Sequence, residues 1–322
     1  MEAVMHNYLF VHFRETTSPE GEQVYFAVSR DGFEWISLNN GNPILWAYYG
    51  DHGVRDMTIA RDKHTGKFHI FATDLSLSYG LRGKYAHSWD NIKRHGSRAL
   101  AHWESNDLVL WTEEELITLG DDHFGCLWAP DILYDKAQDD YILHWSSATS
   151  DNDFGTMGIF YSRTRDFKSY SDPKLLYRRD DSAVIDSAIV EENGKYYLFI
   201  KDQGKVRNIQ QLVSDTPLGE YRLVRRFDES VKDLERGKYE APTIVKLNDG
   251  RWALFLDFYG TYGKYQGYVP FLSDDLSSGI FTRADGEFSF PYCFKHGTVF
   301  PISEAECDRM LGHDWTKWQD GR

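Results

Sequence analysis

Five short segments of this chain each open on a chemically capable residue and run on into an apolar stretch. They are Arg55-Asp56-Met57-Thr58-Ile59, Pro130-Asp131-Ile132-Leu133-Tyr134, Ile185-Asp186-Ser187-Ala188-Ile189, Tyr239-Glu240-Ala241-Pro242-Thr243 and Lys295-His296-Gly297-Thr298-Val299. The lead residues, Asp56, Asp131, Asp186, Glu240 and His296, follow one another at steps of 75, 55, 54 and 56. Four carboxyls and an imidazole gathered at one point would have a defined chemistry. Like charges that close cannot all ionise, so one carboxyl rises in pKa and can act as a general acid. Another, kept ionised by hydrogen bonds or a cation, can act as a base. An acid and a base of this kind are the equipment for glycoside hydrolysis, and they predict a bell-shaped pH–rate profile.

Something must bring these residues together, and a period near 55 implies radial repetition. A second signature keeps the same phase. Ser29-Arg30-Asp31-Gly32-Phe33-Glu34-Trp35, Ser105-Asn106-Asp107-Leu108-Val109-Leu110-Trp111 and Thr164-Arg165-Asp166-Phe167-Lys168-Ser169-Tyr170 read as tight turns between outer strands, with later copies starting at Ser214 and Ser273. Between the two signatures lie hairpins, such as Asn248-Asp249-Gly250 before Arg251–Leu256. Four short strands per unit, repeated, predict an all-β, five-bladed β-propeller. The last inner strand has only a short tail. Strands at Asn7–Phe13 and Gln23–Arg30 are therefore expected to complete the last blade and close the ring without an open edge.

In such a ring the inner strands run the same way, so their first residues face one pocket. The connection between second and third strands returns to that end. In the first unit it is long, from Leu75 to Ala101, and carries Tyr79, Arg82, Tyr85, His87, Trp89, His95 and Arg98. In the fourth it runs from Tyr259 to Tyr268 and includes Tyr262. Aromatic rims of this kind suit stacking on sugar faces.

Composition narrows the classes. At 322 residues the chain can build a full core, and without a linker or charge run residues 1–322 read as one domain. Aromatics make up 16%. Carbohydrate sites use them, and so does packing between blades. A net charge of −14 argues against nucleic acid and anionic membranes as partners. Three cysteines, Cys126, Cys293 and Cys307, form neither a disulfide framework nor a zinc pattern. No apolar stretch reaches signal-peptide or transmembrane length, which predicts a cytoplasmic protein. Oligomeric state is not readable.

At the segments quoted above, and over nearly its whole length, the chain resembles glycoside hydrolase family 43. The family's Asp-Pro, Trp-Ala-Pro, Ile-Asp-Pro-like and Glu-Gly-Pro units stand here as Asp56-Met57, Trp128-Ala129-Pro130-Asp131, Ile185-Asp186-Ser187 and Glu240-Ala241-Pro242. The resemblance implies Asp56 as general base, Glu240 as general acid and Asp186 as the residue that tunes and orients the acid. Trp128, Asp131 and the loop residues Tyr259 and Tyr262 are the substrate-binding candidates, Asp131 equally a strut at the rim. His296 falls where a structural calcium or a water is expected, and no cofactor is otherwise required. Met57 and Ala241 depart from the family's Pro and Gly. The fructosidase branch fits less well, because its Glu-Cys pair occurs here only as Glu306-Cys307, past the last inner strand. The expected activity is inverting exo-hydrolysis of terminal α-L-arabinofuranosyl, or β-D-xylosyl, residues from plant-type oligosaccharides. A β-galactofuranosidase and a non-catalytic sugar-binding propeller are the alternatives.

Overall fold

In the computed structural model twenty strands form five four-stranded antiparallel sheets. The described residues are 5–16, 18–80, 83–204, 209–231, 239–259, 267–290 and 295–316. The chain begins with β1 (Asn7–His12), β2 (Tyr25–Ser29) and β3 (Trp35–Ser37). The first complete blade is β4 (Val54–Arg61), β5 (Phe68–Asp74), β6 (Ala99–Ser105) and β7 (Glu115–Thr118). The second is β8 (Trp128–Asp135), β9 (Asp140–Ala148), β10 (Met157–Thr164) and β11 (Lys174–Tyr177). The third is β12 (Val184–Glu192), β13 (Lys195–Asp202), β14 (Ile209–Ser214) and β15 (Arg222–Leu223). The fourth is β16 (Tyr239–Lys246), β17 (Trp252–Phe258), β18 (Gly267–Ser273) and β19 (Thr282–Arg283). β20 (Gly297–Ile302) pairs with β1, from Asn7 opposite Ile302 to His12 opposite Gly297, so the N-terminal strands complete the fifth blade.

The recurring turns have a common mechanism. The Asp31 carboxylate accepts from the backbone N–H groups of Phe33 and Glu34 at 2.7 and 2.9 Å. Asp107 holds Val109 and Leu110 in the same way, and Asp166 holds Lys168 and Ser169. The closing aromatic then bonds back into its turn: Trp35 Nε1 to Gly32 O at 3.1 Å, Trp111 Nε1 to Leu108 O at 3.2 Å. A short Asp side chain that satisfies two backbone donors is what makes this turn cheap to form.

Each junction between blades has its own apolar cluster. Phe71 and Leu100 of the first blade meet Leu143 and Trp145 of the second. Phe199 of the third meets Leu254 and Phe271 of the fourth, and Phe26 of the fifth meets Phe68 of the first. The twelve largest fully buried side chains are all aromatic. Each contributes roughly 1.5–3 kcal/mol of burial, and all but Tyr85 sit in the clusters between blades. After β20, Ser303 and Glu306 make a reciprocal cap on a helix, Glu304–Gly312. Its Glu306 pairs with Arg61 at the far end of β4, away from the lead residues, so the Glu-Cys pair lies off the pocket.

Candidate active site

The inner strands of the first four blades share one irregularity. Pairing in β4 skips from Arg55 to Thr58, in β8 from Trp128 to Asp131, in β12 from Ile185 to Ala188 and in β16 from Glu240 to Thr243. The first skipped residue has left-handed backbone every time: Asp56 (φ 53°), Ala129 (φ 49°), Asp186 (φ 54°) and Ala241 (φ 55°). A bulge of this kind re-aims a side chain, and each left-handed non-glycine costs about 1–2 kcal/mol. The expectation that all the lead acids occupy one position in the repeat is therefore corrected. Asp56 and Asp186 sit on the bulge. Glu240 lies one residue before it, and Asp131 two residues beyond it, deeper along the axis.

A second ring supports the bulges. The residue of each second strand that faces the pre-bulge position is Thr73, Ser146, Lys201 or Asp257. Each reaches into the next blade. Thr73 Oγ1 accepts from the Ala129 N–H at 2.7 Å, and Ser146 Oγ from the Asp186 N–H at 2.9 Å. The Lys201 ammonium donates to Tyr239 O, and Asp257 contacts Lys295 Nζ at 2.7 Å. Asp186 continues the pattern, because its Oδ2 accepts from the Ala241 N–H at 3.1 Å. That bond fixes the backbone next to Glu240. None of these supporting residues was evident from the repeat. The sign that could have revealed one is Asp257, a lone acid inside the apolar run Trp252–Phe258.

Asp56 is surrounded by donors. Its Oδ1 is 3.1 Å from His296 Nδ1, and its Oδ2 accepts from Thr73 Oγ1 at 3.2 Å. Burial pushes its pKa up, but the His296 hydrogen bond and charge, with Arg55 and Thr73, hold it below the usual carboxylate range. His296 moves the other way. Burial disfavours its charge, yet the bond and charge of Asp56, then Asp186, raise it to about 9. Arg55 is itself clamped, to Glu22 at 2.9 Å and Glu15 at 3.7 Å, with its guanidinium over Phe13.

Glu240 has the opposite surroundings. Burial lifts its pKa first, and the negative charges of Asp186 and Asp257 lift it further, to about 8, with Lys295 and Lys201 pulling the other way. Asp186 rises to about 6, chiefly through burial, against the pull of His296. Lys295 also contacts Glu15 at 3.3 Å, and its charge is held by Asp257, Glu15 and Glu240 against burial.

The other candidates fall as follows. Asp131 accepts from Thr58 Oγ1 at 2.9 Å and lines an axial cavity of about 250 Å³ together with Ser187, Thr243 and His296. The Trp128 ring meets Trp89 edge-on at 6.1 Å. The Tyr259 hydroxyl accepts from Lys201 Nζ at 3.3 Å. Tyr262 and Arg82 lie outside the described residues, as does Cys293; Cys126 and Cys307 are free and buried. On the long first-blade loop, Tyr85 is fully buried and donates to Asp51, so it is not presented to a sugar, and Arg98 pairs with the exposed Asp122. Met57 packs into the core between the fifth and first blades, and Ala241 adopts the left-handed backbone that a glycine would take without strain. A calcium at His296 would need a shell of six to eight oxygens. Among the described residues no three His, Cys, Asp or Glu side chains converge as a metal site, and His296 is engaged with Asp56.

Comparison with known proteins bears on the family and the fold. A family model described as a probable glycosyl hydrolase domain, related to family 43, matches residues 3–308. An α-L-arabinofuranosidase of Bifidobacterium longum is 27% identical over 209 residues, which is 59% of this chain and 19% of that protein. The chain thus spans about a fifth of that relative's length. Two solved structures share the fold. A GH43 protein from Bacillus licheniformis superposes with a TM-score of 0.56 at 15% identity, covering 90% of this chain and 54% of that one. An α-L-arabinofuranosidase from Podospora anserina, solved with cellotriose, gives 0.53 at 14% identity, covering 76% and 73%.

Proposed function

Because this chain belongs to the family of probable glycosyl hydrolase domains related to family 43, we propose that it is an inverting exo-glycosidase that removes terminal α-L-arabinofuranosyl residues from oligosaccharides. The observation that carries the mechanism is the opposite surroundings of two carboxyls at one end of the ring. His296, Arg55 and Thr73 favour the ionised form of Asp56, while burial and the charges of Asp186 and Asp257 favour the protonated form of Glu240. In this reading Asp56 takes a proton from water as the water attacks the anomeric carbon. Glu240 gives its proton to the leaving oxygen, and Asp186 keeps Glu240 protonated and fixes its backbone. Inversion needs the two carboxyls about 6.5–9.5 Å apart, with the water between. Trp128 and Tyr259 stand at the same end of the axis and would contact the sugar. The arabinosyl specificity is supported by the Bifidobacterium relative.

Turnover of aryl α-L-arabinofuranoside and aryl β-D-xyloside, with the first-formed anomer read by proton NMR, tests the proposal. Release of arabinose with inverted configuration is expected. Retention, or no turnover of any aryl furanoside or xyloside, contradicts it. Tight oligosaccharide binding with no hydrolysis would favour a binding propeller.

A further inference from the structure

Where the fifth blade closes on the first, a count of charges leaves one carboxylate over. Three cations stand there, and each already has a partner. His296 lies 3.1 Å from Asp56, Arg55 2.9 Å from Glu22, and Lys295 2.7 Å from Asp257. The Glu22 and Asp257 side chains are each 1% exposed, so those two pairs are complete inside the protein. Glu15 is the fourth carboxylate, shared between Arg55 at 3.7 Å and Lys295 at 3.3 Å. At 35% its side chain is the most exposed of this set. Burial pushes its pKa up, but Arg55 and then Lys295 hold it below the usual carboxylate range, against the repulsion of Asp56. The three pairs balance without it. Ion pairs at such distance and exposure are worth little, so a surplus negative charge beside the base calls for a partner from outside the chain.

Glu15 is placed with care. It belongs to the connection between β1 and β2, the second and third strands of the fifth blade, which turns at the pocket end. Its two cations are the chain neighbours of Asp56 and His296, so it stands on the pocket wall. The backbone is fixed on both sides. Phe13 O accepts from the Lys295 N–H at 3.1 Å, and Thr16 O accepts from Ser78 Oγ at 3.3 Å. Farther along, Glu22 accepts from Ser76 Oγ and from the N–H groups of Leu77 and Ser78, which ties the connection to the first blade.

We propose that Glu15 is a substrate-recognition residue that accepts a hydrogen bond from the 2-hydroxyl of the terminal sugar; this rests on the glycosidase reading of the pocket. An ionised carboxylate can only accept, so its complement is a donor such as a hydroxyl. Asp56 directs water to the anomeric carbon. The ring hydroxyl nearest that carbon is the one on C2, and a carboxylate beside Asp56 is placed for it. A hydrogen bond to the 2-hydroxyl strengthens in the transition state, so it raises the rate more than it tightens substrate binding. Arabinofuranosides and xylosides both carry this hydroxyl, so the role is the same for either sugar.

The test pairs an aryl glycoside that the enzyme cleaves with its 2-deoxy counterpart, each assayed with wild type, Glu15→Ala and Glu15→Gln. On the parent glycoside Glu15→Ala should lower kcat/KM about ten- to a hundredfold, with most of the loss in kcat. On the 2-deoxy glycoside the same substitution should leave kcat/KM nearly unchanged, because the bond is already gone. Glu15→Gln keeps an acceptor and should recover part of the loss. An equal loss on both glycosides would make Glu15 a structural counter-ion and overturn the proposal, as would no loss on the parent. Failure of the reaction reading looks different, because then no aryl glycoside is turned over. In that case calorimetry with the methyl glycoside and its 2-deoxy form decides the proposal alone. Tighter binding of the parent by wild type but not by Glu15→Ala upholds it; wild type that binds both equally, or neither, overturns it.

Discussion

Asp56 and Glu240 are both part-exposed carboxyls at one end of the propeller axis, at neighbouring positions of equivalent bulges in two different blades, yet their surroundings have opposite signs. Around Asp56 stand an imidazolium, a hydroxyl donor and a guanidinium. Around Glu240 stand two further carboxyls, with the nearest ammonium committed to one of them. The difference teaches that the fold assigns acid and base by what the residue's own second strand and the preceding blade supply: Thr73 and His296 for Asp56, Asp257 and Asp186 for Glu240. Thr73, Ser146, Lys201 and Asp257 hold equivalent places in four blades, and their identities differ.

The comparison can be broken most strongly at the acid itself. Glu240→Gln should lower kcat on unactivated glycosides by about 10²–10⁴-fold, read by initial rates at saturating substrate. Next comes the buried pair behind it. Lys295 and Asp257 are 3% and 1% exposed. Lys295→Met should cost about 3–5 kcal/mol in urea unfolding, and the alkaline limb of activity should move up, because Lys295 lowers the Glu240 pKa. A milder change is Asp186→Asn, which removes a charge but keeps an acceptor for the Ala241 N–H. The rate should fall in wild type as pH rises through about 8, where Glu240 loses its proton. In the variant this limb should shift to lower pH, since the charge that raises Glu240 is gone. The smallest effect is expected from Thr73→Val. It removes one donor to Asp56, so kcat/KM should drop about tenfold and the acid limb should move to higher pH.

Much of this architecture is legible in the sequence because its causes are local. The Asp31, Asp107 and Asp166 turns each close on their own backbone, so their spacing reports the blade repeat directly. The closure by β1 follows from counting strands. The exact phase of the bulge is a different matter. It depends on pairing between strands, and the acid at 131 invited alignment with the acids at 56 and 186. Ala129-Pro130 and Ala241-Pro242 carry the better signal, since they share the bulge with Asp56-Met57 and Asp186-Ser187. The charges beside Glu240 were hidden for another reason. Lys295 and Asp257 are 38 residues apart, and their meeting is a fact of ring closure that no local pattern encodes. Glu15 escaped because its connection lies outside both repeating signatures.

The central claim is that Glu240 delivers the proton and Asp56 receives one, and leaving-group dependence tests it most directly. The measurement compares kcat/KM of wild type, Glu240→Gln and Asp56→Asn on an aryl glycoside with a poor leaving group and on its dinitrophenyl counterpart, whose departure needs no proton. The account predicts that Glu240→Gln recovers most of its activity on the dinitrophenyl substrate while Asp56→Asn stays impaired on both. Recovery by Asp56→Asn, or equal loss of Glu240→Gln on the two substrates, would contradict it.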